Sequence, residues 1–202
     1  MTRPFPRFGA LLALLAGVIL LAAPLEAQEQ SRNAPGAVIE GYPFPDTVAG
    51  LRRRQTITYN KPGEGFSVRY ANGNLSWADV YVYDRERNLS SPSREDIKNE
   101  MSDVLRAIMA ARELGRYEDL KIEEAKLEEN AASARLLATA GGKRHLTFAF
   151  LTVAHGNFVK IRFSTRDVKA GRKQAEAFRN ATFNLIRSTR PVIEPRRDPR
   201  YI

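Results

Sequence analysis

The stretch Lys143–Thr165, KRHLTFAFLTVAHGNFVKIRFST, sets the strongest condition on how this chain can fold. Val159, Ile161 and Phe163 alternate with Lys160, Arg162 and Ser164, the period-two pattern of a strand with one buried face. The residues before them are more demanding. Phe148, Phe150 and Thr152 fall on one side and Ala149, Leu151 and Val153 on the other, so this strand is apolar on both faces. Such a strand belongs inside a sheet, with a layer packed above and below. Gly156-Asn157 can supply the positive φ angles of a two-residue hairpin turn. That turn sets Thr152 opposite Ile161 and Phe150 opposite Phe163. The expectation is a central strand over 145–155 and a partner over 157–165 that lies nearer an edge.

The rest of the chain supplies the layers. Gln55–Tyr59 and Gly65–Tyr70 alternate as strands, and Trp77–Tyr83 is a second strand apolar on both faces. The apolar pattern fixes register. It favours a loop longer than Asn72-Gly73, with Phe66 opposite Val80 and Val68 opposite Ala78. Ser91-Pro92 marks a helix start. Ile97, Met101, Val104, Leu105 and Ile108 then form one stripe at helical spacing up to Gly115, predicting a helix over 92–114. Tyr117–Leu127 and Ala134–Ala140 read as strands, with Gly141-Gly142 turning into the central hairpin. Asp167 can cap a closing helix to Arg187, with Val168, Ala175, Phe178, Thr182, Leu185 and Ile186 inward. Strand runs broken by helices, without regular alternation, mean α+β. The predicted fold is an antiparallel sheet of about six to seven strands sandwiched between two helices.

The ends read differently. Arg3 and Arg7 precede an apolar run over Gly9–Ala23 and then Leu25-Glu26-Ala27, the plan of a secretory signal cleaved near Ala27. That plan predicts a periplasmic or secreted protein. The chain has no cysteine, so its core must hold without disulfides, which favours a bacterial source. The expected organisation is a signal peptide over 1–27, an extended polar leader over 28–52 and one domain over 53–189. A basic, proline-rich tail over 190–202 follows.

Chemistry is sparse. The two histidines, His145 and His155, sit near opposite ends of one strand, about 33 Å apart by strand rise, and read as exposed turn residues. Thiol chemistry is excluded by the absence of cysteine. No serine-nucleophile elbow and no phosphate loop occur. Glu118, Asp119, Glu123, Glu124, Glu128 and Glu129 cluster, but they alternate with lysines as a solvated strand face does. Trp77, Tyr81 and Tyr83 share one strand face and could form a binding platform if no helix covers it. The net charge is +9, and basic residues gather at Arg52-Arg53-Arg54 and towards the C-terminus. Arg52, Arg53, Arg54, Arg196, Arg197 and Arg200 are the candidate anion-binding residues.

The element order, with Gly65-Phe66-Ser67-Val68-Arg69-Tyr70 early and an amphipathic helix last, resembles the PsbP-like fold over about residues 53–188. That resemblance implies a sheet between helices and a role in binding or assembly. The functional expectation is a non-enzymatic, monomeric module of the bacterial cell envelope that binds an envelope protein. No cofactor, metal or nucleic acid is expected. Binding of an anionic surface, lipid or lipopolysaccharide, through the arginines is the first alternative. An unrecognised hydrolase using the acids is the second.

Overall fold

A computed structural model of the chain describes residues 36–73 and 75–189. The expected signal segment 1–27 and tail 190–202, with Arg196, Arg197 and Arg200, lie outside the described residues. No helix among the described residues is long and apolar enough to cross a membrane.

The elements in chain order are β1 (Ala37–Ile39), β2 (Tyr42–Phe44), β3 (Thr47–Val48), β4 (Leu51–Thr58), β5 (Phe66–Asn72) and β6 (Ser76–Tyr83). Then come α1 (Arg94–Glu113), β7 (Asp119–Leu127), β8 (Ala131–Ala140), β9 (Lys143–Ala154), β10 (Asn157–Thr165) and α2 (Gly171–Ser188). Strands β3 to β10 form one antiparallel sheet in the order β3-β4-β5-β6-β10-β9-β8-β7. The seven strands read from the sequence are all in it, and the two-residue β3 brings it to eight. Helices α1 and α2 pack on opposite faces, so the fold is the expected α+β sandwich.

Strand β9 is covered on both sides, as its composition requires. Phe148 and Phe150 join the core under α2 with Val68, Val80, Ile161, Phe163 and Phe178. Ala149 and Leu151 join the core under α1 with Ile97, Met101, Val104 and Ile108. Strand β10, expected nearer an edge, is in fact interior, between β6 and β9. Its alternating Lys160 and Arg162 look like the polar side of an outer strand, but Lys160 lies over the Tyr81 and Tyr83 rings and Arg162 is half-buried opposite Asp79.

Two turns are displaced from expectation. The β9–β10 hairpin turns at His155-Gly156, with φ of 52° and 75°, so Thr152 pairs with Val159 and Phe150 with Ile161. The β5–β6 loop is indeed longer than two residues, but Phe66 pairs with Val82 and Val68 with Val80. Moving a turn centre by one residue slides pairing by two, which leaves every side chain on its expected face. Positive φ is uncommon for residues other than glycine, though histidine is among those that take it most readily. Here Nε2 of His155 donates to the Ile186 carbonyl 2.9 Å away, tying the hairpin to α2.

The start of the domain also differs. The boundary at Arg53 falls inside β4, and Tyr42, Phe44, Val48 and Leu51 from the expected leader are buried in the α2-side core. Val48 and Leu51 dock on the domain as their apolar character suggests, whereas Tyr42 and Phe44 sit in a Pro-rich segment with no single period, which hides them in the sequence. Helix α1 starts two residues later than Ser91-Pro92 suggests. Ser93 is its cap, in a reciprocal capping box with Asp96. Asp167 does not cap α2 directly. Its carboxylate accepts from the backbone N–H of Lys169 and Ala170 in the turn before the helix. Val168 is exposed, and Phe183 takes an inward place.

Candidate functional site: the open half of the sheet

Where α1 lands on the sheet decides what the protein can present. The helix packs on β7, β8 and β9. That part of the face is floored by Ala132, Ala134, Ala138 and Ala149 together with Leu120, Leu136 and Leu151. The helix-side core reaches Phe158 of β10 and Tyr83 of β6, and beyond them, across β10, β6, β5 and β4, the same face lies outside the main packing of α1. By strand spacing this uncovered half is about 15 Å wide.

Register gives its layout. Trp77 lies opposite Ser164 of β10 and Ala71 of β5. Next along the strands, Arg69, Asp79 and Arg162 form a row. Then Ser67, Tyr81 and Lys160 form another, flanked by Ile57 of β4. Trp77, Asp79, Tyr81, Lys160 and Arg162 are all half-buried, and Arg69 is exposed. Tyr59 closes the corner, its hydroxyl 2.9 Å from that of Ser67.

The face is held rigid by polar contacts. Arg69 grips Asp79 with both prongs, Nε to Oδ1 at 2.7 Å and Nη2 to Oδ2 at 3.0 Å. The Lys160 ammonium stands 4.1 Å from the Tyr81 ring centroid and 5.1 Å from that of Tyr83. At the boundary with the helix, the Tyr83 hydroxyl donates to buried Glu100 of α1 at 2.8 Å, and Arg85 donates to the same oxygen at 3.2 Å. At the other end Trp77 meets the ring of His145 edge-on, centroids 5.5 Å apart, and Arg166 Nε donates to His145 Nε2 at 3.2 Å.

Burial sets the proton affinities. It pushes Lys160 down to about 8, with Arg162 adding to the effect, and pushes Tyr81 up to about 12. Burial and then Glu100 raise Tyr83 further. Burial and then Arg166 lower His145.

The sequence-derived candidates are placed unevenly. Arg52 and Arg54 are exposed on β4, but Arg53 turns to the other side and pairs with Asp46 at 2.8 Å. Strand alternation and a bulge between Arg53 and Gln55 thus divide the triplet. The aromatic strip is divided too: Tyr83 is buried beside α1, whereas Trp77 and Tyr81 lie beyond the helix. His145 is buried rather than exposed, because its ring packs on Trp77. The acids on and around β7 stay on the surface, where Glu123 and Glu124 pair with Arg135, and Glu124 also with Lys126. No group of acids or histidines among the described residues could hold a metal ion. In the sequence Lys160 and Arg162 read as the polar side of a strand, and nothing there marks Glu100. Only the pairing of β10 with β6 reveals what they do.

No family model and no curated protein matches the chain. Among solved structures, it is similar to cyanobacterial PsbP from Synechocystis, at 10% identity and a TM-score of 0.43, covering 77% of this chain and 95% of that one. It is also similar to the Ran-binding protein Mog1p of Saccharomyces cerevisiae, at 13% identity and a TM-score of 0.39, covering 81% and 97%.

Proposed function

We propose that this protein is a non-enzymatic binding module of the bacterial cell envelope, and that it docks a partner protein on the open half of its sheet. The observation that carries this reading is the uncovered, rigid face of Trp77, Tyr81, Lys160, Arg162 and Arg69. Aromatic and arginine side chains on a preorganised surface are the groups that supply most binding energy in protein interfaces. A stable fold gains nothing by leaving rings and unpaired cations half-covered when a helix lies on the adjoining strands. The envelope location rests on the Arg3, Arg7 and Gly9–Ala27 pattern.

The test is site-specific photocrosslinking in intact bacteria. A photoreactive residue at Gln55, which lies opposite Arg69 on the open face, is compared with one at Lys173 on exposed α2. A discrete protein adduct from position 55 and none from 173 is expected, recovered with the envelope fraction. Adducts from 173 alone, or none from either position with the protein found in the cytoplasm, would remove the reading.

A further inference from the structure

The positive charge on the open face is not spread evenly. Both oxygens of Asp79 are taken by Arg69. Oε1 of Glu100 accepts from Tyr83 and Arg85. Lys160 and Arg162 stand two residues apart on one face of β10, about 7 Å along the strand, and neither makes an ion pair with a described residue. Half-buried cations without a direct counter-ion destabilise a fold. Lys160 is offset in part by the Tyr81 and Tyr83 rings and by Asp79 and Glu100, whereas Nε of Arg162 is enclosed and meets no hydrogen-bond acceptor. An anion supplied from outside offsets that cost.

Resting on the docking reading above, we infer that the partner presents an acidic segment, one carboxylate of which seats between Lys160 and Arg162. The planar guanidinium fork matches a carboxylate. Trp77, Tyr81 and Tyr59 flank the pair with flat apolar surface, which suits a polypeptide. A bilayer engages protruding lysines more readily than cations set among rings. Charge complementarity and this recessed position together favour a protein segment over a lipid headgroup or free phosphate.

Trp77 is the sole tryptophan of the chain and stands on this face, so its fluorescence reports occupancy directly. A glutamate-rich peptide titrated into the full chain is expected to change Trp77 emission saturably. A glutamine-for-glutamate version should not bind, and affinity should fall with added salt. Lys160→Met and Arg162→Met should each weaken binding at least tenfold, while Lys160→Arg keeps it. Equal binding by parent and both methionine variants would overturn the inference. So would inorganic phosphate or phosphatidylglycerol vesicles binding with the same loss in those variants, which would assign the pair to phosphate chemistry. The crosslinking experiment separates the two levels. Adducts at position 55 that persist in Lys160→Met/Arg162→Met leave docking standing and remove the carboxylate anchor. Failure of adducts in the parent removes docking itself.

Discussion

Tyr83 of β6 donates its hydroxyl hydrogen to Glu100 of α1 across 2.8 Å, and both side chains are buried. This bond fixes the helix at the margin of the open face. Removing the donor in Tyr83→Phe leaves the carboxylate with Arg85 alone, an expected loss of about 1–3 kcal/mol. Glu100→Ala leaves a buried hydroxyl and a cationic Arg85 without their acceptor, and about 2–4 kcal/mol is expected. Urea denaturation measures both, and variants as stable as the parent would show the contact to be idle.

Lys160 makes stability depend on pH. Its folded value is about 8, whereas a lysine in an unfolded chain titrates near 10.4. Between those values the unfolded chain holds a proton that the folded protein has released, so stability rises with pH across that window. The groups facing the ammonium are Arg162 on its own strand, Asp79, Tyr81 and Tyr83 on β6, Arg85 beyond it, and Glu100 on α1. The tyrosines act against it only above about pH 10, where an unfolded tyrosine ionises. The gain from pH 7 to 9.5 is expected at about 2 kcal/mol. Lys160→Met should lack this gain and be more stable than the parent at pH 7. Parallel denaturation curves for the two would sink the claim.

Gly65 and Gly115 both have positive φ, 60° and 72°, but only one is crowded. A Cβ on Gly65 would stand 2.0 Å from the Val82 carbonyl oxygen, whereas one on Gly115 would meet nothing within 4 Å. Gly65→Ala is expected to cost about 3 kcal/mol or more, because backbone on β6 must move. Gly115→Ala should cost about 1 kcal/mol, the backbone strain alone. Thermal melts distinguish them, and equal losses would refute the close approach of Gly65 to β6.

The small floor beneath α1 predicts a contrast across one sheet face. Ala149 is wholly buried under the helix. Ala149→Leu overpacks that contact and should cost about 1–3 kcal/mol. Arg162→Met, on the neighbouring strand but beyond the helix, should change stability by no more than about 0.5 kcal/mol in the unfavourable direction. A large loss from the second variant would mean that the face is covered.

Alternation told which side chains share a face. Phe148 with Phe150, and Ala149 with Leu151, separate as read, and even the two displaced turns preserve that parity because their register moved by two. Helical spacing likewise placed Ile97, Met101, Val104 and Ile108 inward. These are local properties, written in periods of two and 3.6 residues.

Which elements become neighbours is not a local property. Strand β10 pairs with β6 across some eighty residues of chain, and α1 settles over the alanines and leucines of β7–β9 rather than over Trp77. The sequence by itself determined a sheet that needs cover on both faces. Only the tertiary arrangement decided how far each helix extends its cover, because that depends on strand order and on side-chain height across the sheet. The same arrangement turned Lys160 and Arg162 from the polar side of a strand into a pair of cations beside half-buried rings.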